Sequence, residues 1–173
     1  MGVDGPLIRQ AYDAGVESAG RAPLRVLFVC THNSARSQMA EGMLRAWGGD
    51  RFDAHSAGTE ATQVRPEAIA VMSEIGIDIS GHSSKTVLRF IGEDFAWVIT
   101  VCDEAKEACP VIPGAARQAH WSIADPSAVE ASEEERLEAF RTARGVIRDR
   151  VESFIAAAGS QDMPQAGSTR AAG

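Results

Sequence analysis

The chain has 173 residues, of which 45% are hydrophobic and 24% charged, and its net charge at pH 7 is −7. These values are typical of one soluble domain with one substantial core. The negative charge disfavours nucleic acid as a partner, because phosphate neutralisation requires clustered Lys and Arg. No apolar run approaches the roughly 20 residues needed to span a bilayer, so we expect no membrane contact.

The two ends of the chain are predicted to lie outside the folded domain. Residues 1–23 form an extension without the apolar core of a secretory signal, and its charged side chains are Asp4, Arg9, Asp13, Glu17 and Arg21. A cytoplasmic location follows, where cysteines usually take part in chemistry and rarely form structural disulfides. Residues 159–173 are rich in Gly, Ser, Gln and Ala, and we expect a disordered tail.

Strands and helices are predicted to alternate through residues 24–158. Short apolar runs predict strands at residues 24–30, 52–57, 96–101 and 118–122. Helical spacing of apolar residues predicts helices at residues 34–47, 66–75 and 133–158. The first and third strands are apolar almost throughout, which is typical of parallel strands buried on both faces. Ligands in such folds bind at the carboxyl ends of the strands, near helix N-termini.

The apolar spacing also predicts which helical side chains face the core. In the first helix these are Met39, Met43, Leu44 and Trp47. In the last helix they are Leu137, Phe140, Val146, Ile147, Val151 and Ile155. We also expect Trp97 and Trp121 in the core, because large aromatic side chains are usually well buried.

The carboxyl end of the first strand carries the strongest chemical signal. Cys30 is followed by five residues and then by Arg36, at the start of a predicted helix. Backbone N–H groups of such a loop and the helix dipole would stabilise a thiolate and bind a tetrahedral oxyanion. The planar guanidinium of Arg36 can contact two oxygens of that anion. Asn33 can hold the loop shape, and Ser34 or Ser37 can donate to the thiolate; a buried structural cysteine is the competing interpretation.

The sequence VLFVCTHNSARSQMAEG resembles the phosphate-binding loop of the low-molecular-weight tyrosine phosphatase superfamily. The resemblance continues at HSAGTE, GIDISGHSS and HWSIADP and covers residues 24–158. It implies an α/β fold in three layers, with a four-stranded parallel sheet flanked by helices. It also implies an oxyanion-binding loop made of Thr31, His32, Asn33, Ser34, Ala35 and Ser37.

In this superfamily the Asp of a late Asp-Pro pair acts as a general acid, and Asp125-Pro126 matches that pair. A carboxylic acid held near a leaving oxygen can protonate it. Without the resemblance, Asp-Pro would be read as an ordinary turn dipeptide.

Two further cysteines lie close together after the third predicted strand. Cys102 follows the strand directly, and Cys109 comes seven residues later. Their spacing does not fit a zinc site, and two inert buried thiols remain an alternative. The segment VCDEAKEACPVIPG resembles the redox segment of the thioredoxin-coupled arsenate reductases, members of the same superfamily with three catalytic cysteines.

This resemblance implies a relay from arsenate to a thioredoxin-type reductant. Cys30 would attack arsenate, Cys102 would attack Cys30 with release of arsenite, and Cys109 would then attack Cys102. Arg36 and the loop would stabilise the anion, and Asp125 would assist proton transfer. Phosphate or sulfate would mimic the substrate, no cofactor is expected, and we expect a monomer.

The relay makes a geometric demand on residues 102–109. With Asp103 as N-cap and residues 104–109 helical, Cys102 and Cys109 would lie about 10 Å apart by helical rise. A disulfide requires Cα atoms closer than about 7 Å. We therefore hypothesise that this short helix, marginal by itself, unwinds on oxidation.

Some reductases of this kind bind potassium beside the loop through an Asn, a Glu, a Ser and an Asp. Asn33, Glu41 and Ser56 match the first three, but Lys85 stands in place of the Asp. An ammonium group there would repel a cation and could occupy its place, paired with Glu41. We expect no metal and no activation by potassium; an ordinary surface position for Lys85 is the alternative.

Two other functions remain open at this point. A phosphatase acting on phosphotyrosine or small phosphate esters would need only Cys30, Arg36 and Asp125. However, Ser127 and Ala128 follow the Asp-Pro pair, where such phosphatases tend to carry aromatic residues. A redox sensor would leave Arg36 and Asp125 without a role. Glutaredoxin-like proteins and small thiols are alternatives to thioredoxin as the reductant.

Overall fold

The computed structural model describes residues 21–102 and 114–159. Most of the predicted N-terminal extension and C-terminal tail lies outside the described residues. So do Cys109 and the helix predicted at residues 104–109. Within the described residues, no helix combines the length and the apolar character that a membrane crossing requires.

Four strands form one parallel sheet in the described part of the chain. They are β1 (Leu24–Cys30), β2 (Phe52–Gly58), β3 (Phe95–Thr100) and β4 (Ala115–His120). Their order is β2-β1-β3-β4, and every pairing is parallel. Four consecutive side chains of β1 are fully buried: Val26, Leu27, Phe28 and Val29. Because successive side chains point to opposite faces, both faces of the sheet are covered, and the predicted three-layer α/β fold is confirmed.

Three helices pack on this sheet or on one another. They are α1 (Arg36–Gly48), α2 (Pro66–Ser73) and α3 (Glu133–Gly159). Helix α1 contacts β1, β2 and α3, and α2 also packs against α3. Gly76, at φ 77°, lets Ile77 N–H donate to Met72 O at 3.1 Å, which closes the end of α2 two residues before the predicted end.

Two other elements differ from the prediction by two residues or more at a boundary. Helix α1 begins at Arg36 instead of residue 34, because Ser34 and Ala35 belong to the loop. Ala35 has the non-helical angles φ −140° and ψ −78°, and Ser34 O accepts from Arg65 N at 2.8 Å. Strand β4 begins three residues earlier than predicted and ends two residues earlier, because its start at Ala115 pairs with Phe95 despite its weak apolar signal.

For two residues, the prediction of a core position is wrong. Trp47 is 37% exposed, because Phe52 packs at the end of α1 against Leu44 and Gly48. Val146 is 40% exposed because it lies beside the buried stripe of α3, which consists of Phe140, Ala143, Ile147, Val151 and Phe154. Trp121 is buried and Trp97 partly buried against the core, so these two predictions are confirmed.

Candidate active site

The loop between β1 and α1 surrounds the Cys30 thiol. Cys30 is the last residue of β1 and is buried. Its Sγ lies 2.8 Å from Ser37 Oγ, and the Asn33 backbone N–H donates to Sγ at 3.2 Å. Because α1 begins at Arg36, the loop leads directly into the positive end of the helix dipole. The structure thus brings together the cysteine, the asparagine and one of the two serines named from the sequence.

Asn33 fixes the shape of the loop. It is fully buried and has φ 50°, a left-handed conformation that Asn adopts more readily than most residues. Its backbone carbonyl accepts from Gln38 Nε2 at 3.1 Å and from Ser84 Oγ at 2.7 Å. Its Oδ1 accepts from Gln38 Nε2 at 2.9 Å and from Lys85 N at 2.8 Å. Contacts from two other segments, the first turn of α1 and residues 84–85, therefore hold this residue in its unusual backbone conformation.

The remaining hydrogen bonds of Asn33 set the direction of donation toward Cys30. Because Oδ1 already accepts, Nδ2 is the donor to Ser37 Oγ and Ser56 Oγ, both at 2.9 Å. Ser56 in turn donates its hydroxyl proton to the Glu41 carboxylate. Ser37 accepts from Asn33, which leaves its own proton for the sulfur of Cys30. Two donors, an N–H and an O–H, therefore point at one sulfur and favour its thiolate form.

Gly58, at the end of β2, allows the loop to approach the sheet closely. A Cβ at this position would lie 2.6 Å from Thr31 O and 2.8 Å from Asn33 N. Two residues later, Glu60 N donates to Thr31 O at 2.8 Å. Only glycine fits this contact, which is why the HSAGTE segment supports the Cys30 loop from a different strand.

Arg36 and Asp125 meet above the loop. Arg36 is 6% exposed, and its Nη1 donates to Ile123 O at 2.9 Å. Its Nη2 lies 3.5 Å from Asp125 Oδ2. The other carboxylate oxygen of Asp125 accepts from Ser127 N at 2.9 Å. The guanidinium is therefore held from the β4 side, and both charged groups line one cavity with Cys30.

That cavity has a volume of about 460 Å³. Its lining residues are Cys30, His32, Ser34, Ala35, Arg36, Thr62, Gln63, Arg65, Pro66, Asp125, Ser127 and Ala128. Within the described part of the chain, no Phe, Tyr or Trp side chain lines it. The cavity thus presents a thiol, positive charge and one carboxylate, with no ring on which an aromatic substrate could stack.

Cys102 lies beside the loop because β1 and β3 are adjacent and parallel. Val101 N donates to Val29 O at 2.8 Å just past the last paired residues, so the two strands end together. Cys102 is fully buried, and its Sγ lies 3.5 Å from Thr31 Oγ1, on the residue that follows Cys30. Cys102 thus lies against the loop that begins at Cys30, although 72 positions separate the two cysteines in sequence.

Glu41 and Lys85 form a buried charge cluster behind the loop. The Lys85 side chain is only 15% exposed, and its Nζ lies 3.8 Å from Glu41 Oε2 and donates to Ser83 O at 2.9 Å. Arg45 Nη2 contacts the other Glu41 oxygen at 2.7 Å. Burial lowers the pKa of Lys85 below its ordinary 10.5, and the charge of Glu41 opposes that shift. Among the described residues, no three His, Cys, Asp or Glu side chains are grouped as metal ligands.

Gln38 and His82 are site residues that the sequence reasoning missed. His82 Nδ1 lies 3.0 Å from Gln38 Oε1, and the Gln38 amide nitrogen donates to Asn33. Desolvation by burial lowers the pKa of His82 below its ordinary 6.5, so the ring is neutral at pH 7. Nδ1 must then carry its proton, because Oε1 can only accept. Both residues lie within the segments that carry the resemblance, but neither has a chemical signature in the sequence alone.

Two more residues of basic type, His32 and Arg65, lie at the mouth of the cavity. His32, inside the loop, has a side chain 48% exposed, and its Nε2 lies 3.7 Å from Glu60 Oε2. Arg65 precedes α2 and is exposed, with its backbone N–H bonded to Ser34 O at 2.8 Å. His32 was predicted as a member of the loop, whereas no pattern in the sequence singles out Arg65.

Fold and site together define an α/β protein with a buried thiol at the start of a loop that leads into a helix N-terminus, and with an arginine and a carboxylate in the same cavity. Residues 25–163 match the family model described as low molecular weight phosphotyrosine protein phosphatase. The chain belongs to this family, which confirms the resemblance seen in the sequence.

The proteins similar to this chain include arsenate reductases. The arsenate reductase of Halalkalibacterium halodurans is 41% identical over 129 residues, which cover 75% of this chain and 93% of that protein. A solved arsenate reductase in the phosphate-binding state is 38% identical, with a TM-score of 0.65 over 77% of this chain and 97% of that chain. A thioredoxin-dependent arsenate reductase from Corynebacterium glutamicum is 27% identical, with a TM-score of 0.55 over 87% of this chain and 70% of that chain.

Proposed function

We propose that this protein reduces arsenate to arsenite through Cys30, Cys102 and Cys109, with electrons from a thioredoxin-type protein. The observation that carries the proposal is the 3.5 Å contact between Cys102 Sγ and Thr31 Oγ1. Hydrolysis of a phosphate ester through Cys30, Arg36 and Asp125 does not require a second thiol at this loop. The names of the arsenate reductases similar to this chain, one of them thioredoxin-dependent, support the same activity.

The first step is attack of the Cys30 thiolate on arsenic, with loss of one arsenate oxygen as water. Two hydrogen-bond donors, Ser37 and the Asn33 N–H, support the thiolate. Arg36 and the free N–H groups of the loop stabilise the negative oxygens. Asp125 lines the cavity with a half-exposed carboxyl group, and we assign to it the proton transfer to the departing oxygen.

The second step is attack of Cys102 on the sulfur of Cys30. The electron pair of the sulfur–arsenic bond moves to arsenic, which leaves as arsenite, and a Cys30–Cys102 disulfide forms. Cys109 then attacks Cys102, which frees Cys30 as a thiolate and leaves a Cys102–Cys109 disulfide. A dithiol protein reduces that disulfide in turn. Because all three cysteines must be thiols between cycles, we propose a reducing, cytoplasmic location.

Phosphate ester hydrolysis is a second candidate activity, favoured by the position of Asp125 in the same cavity as Cys30 and Arg36. This reaction would use Cys30, Arg36 and Asp125 alone. The absence of Phe, Tyr and Trp among the described lining residues favours small esters over phosphotyrosine.

A coupled assay separates the two activities. The reduced protein is mixed with arsenate, thioredoxin, thioredoxin reductase and NADPH, and NADPH loss is followed. We expect arsenate-dependent turnover that is abolished in Cys30→Ser, Cys102→Ser and Cys109→Ser. Turnover that survives loss of Cys102 and Cys109 would refute the relay. No turnover, with aryl phosphate hydrolysis that requires Cys30 but survives loss of Cys102 and Cys109, would identify a phosphatase.

A further inference from the structure

An acidic protein that binds a small oxyanion with more than one negative charge needs a local source of positive charge. The net charge of the chain is −7. Arg36, at the cavity floor, is only 6% exposed, and its positive charge is partly offset by Asp125, whose Oδ2 lies 3.5 Å from Nη2. Exposed cations near the mouth of a cleft raise the local anion concentration and the rate of association. The positive charge at the mouth of this cavity therefore affects the rate at which an oxyanion reaches Cys30.

Arg65 is the exposed cation at that mouth. It lines the same cavity as Cys30 and Arg36, and in the described ranges no carboxylate lies within 4.0 Å of its guanidinium. Glu67, the acid nearest in sequence, is instead paired with Arg136 at 3.5 Å. The positive charge of Arg65 is thus available to a ligand from solution.

The backbone of Arg65 is anchored to the oxyanion-binding loop. Its N–H donates to Ser34 O at 2.8 Å, and Pro66 restricts the conformation that precedes α2. The base of the side chain therefore keeps a fixed distance from the loop, whereas the exposed guanidinium can move.

The cavity has room for an anion to meet Arg65 before it reaches the loop. Its 460 Å³ falls in the range of roughly 300–1,000 Å³ that holds small organic ligands. A single tetrahedral oxyanion at Cys30 fills only part of that volume. The other potential cation of the rim, His32, lies 3.7 Å from Glu60, which offsets any charge on its ring.

We propose that Arg65 is a second oxyanion-binding residue, which captures the substrate anion at the cavity mouth and raises its occupancy at Arg36 and Cys30. This role rests on the proposed oxyanion chemistry at Cys30. Arg65 acts on capture and not on bond breaking. Its loss therefore raises KM for arsenate and leaves kcat within about twofold, whereas loss of an oxyanion contact at Cys30 lowers kcat.

The test measures anion binding without turnover. Iodoacetamide alkylation of Cys30 is followed by peptide mass spectrometry at increasing inorganic phosphate, at about 0.02 M and about 0.5 M ionic strength. The proteins are the unmodified chain, Arg65→Gln, Arg65→Lys and the control Arg150→Gln, an exposed arginine on α3 away from the cavity lining.

We expect Arg65→Gln to raise the half-protecting phosphate concentration about five- to tenfold at low ionic strength, and by less at high ionic strength. Arg65→Lys should recover most of the affinity, and Arg150→Gln should behave as the unmodified chain. Equal protection of Arg65→Gln and Arg150→Gln would overturn the inference, even if arsenate turnover were normal. The expected shift in a protein without arsenate turnover would sustain it and refute only the proposed function. A lack of protection in the unmodified chain would overturn both.

Discussion

The floor and the mouth of the cavity use polar side chains in opposite ways. At the floor, Asn33, Ser37 and Ser56 are fully buried, and every polar atom of Asn33 has a partner. At the mouth, His32 and Arg65 are exposed, and the guanidinium of Arg65 has no carboxylate partner among the described residues. The floor is built for fixed geometry, which a thiol nucleophile needs, and the mouth for attraction of ions from water.

The difference also separates stability from function. Removal of one member of a buried hydrogen-bonded network strongly lowers the free energy of unfolding, because the partners of that member are left unsatisfied. Exposed polar residues usually change stability by less than about 0.5 kcal/mol. Substitutions at the floor should therefore alter folding and chemistry together, and substitutions at the mouth should alter only affinity.

The largest effect is expected for Arg36→Lys. A lysine ammonium cannot contact two oxygens of the anion in the planar geometry of guanidinium, nor bond Ile123 O at the same time. We expect kcat for arsenate to fall about 10²- to 10³-fold, measured in the coupled assay. Arg65→Lys is the matched control at the mouth, and an equal loss in the two variants would erase the distinction between the two regions.

Next in size is the replacement of Asn33. Asn33→Ala removes the hydrogen bonds to Ser37 and Ser56 and places alanine at φ 50°. We expect the free energy of unfolding in urea to fall by about 3 kcal/mol. Asn33→Gly, which tolerates that φ, should recover about 1 kcal/mol of this loss. Gln63→Ala at the mouth should change the free energy of unfolding by less than about 0.5 kcal/mol, and a larger change there would contradict the comparison.

A smaller loss is expected for Lys85→Met, behind the floor. The substitution leaves the buried Glu41 carboxylate with Arg45 as its remaining cation, and we expect about 2 kcal/mol of destabilisation. Arg89→Met, an exposed neighbour, serves as control. Because the Lys85 ammonium already compensates Glu41, exchange of sodium for potassium should change neither the stability nor the turnover of the unmodified protein. A clear rate gain in potassium would show that a cation site persists.

The smallest effect is expected for Ser37→Ala against Ser34→Ala. Ser37 directs its hydroxyl proton to the Cys30 sulfur at 2.8 Å, whereas Ser34 only lines the cavity. Loss of one hydrogen bond to a thiolate should slow iodoacetamide alkylation of Cys30 at pH 7 about tenfold. Ser34→Ala should react within twofold of the unmodified chain. Equal rates in the two variants would mean that the proton of Ser37 points elsewhere.

Much of the fold could be predicted because its signals are local. The unbroken apolar run of β1 and the helical spacing of Met39, Met43 and Leu44 come from short stretches of chain, and the structure confirms both. The start of α1 and the exposure of Trp47 could not be predicted. Both depend on contacts outside the helix itself, with Arg65 for the loop and with Phe52, at the start of β2, for the end of the helix.

By itself the sequence determined the class of the fold, the order of its elements and the placement of Cys30 and Arg36 at the two ends of one loop. It could do so because the strand, the loop and the helix N-terminus are contiguous in the chain. Only the tertiary structure decided that Cys102 lies beside Thr31, that Asp125 reaches Arg36, and that the largely buried side chain of Lys85 lies 3.8 Å from Glu41. The residues of the first two contacts follow the carboxyl ends of β1, β3 and β4, and they meet because parallel strands place these ends at one edge of the sheet. Glu41, in contrast, lies within α1. The spacing of residues in the sequence does not give the distances between side chains that come from different elements.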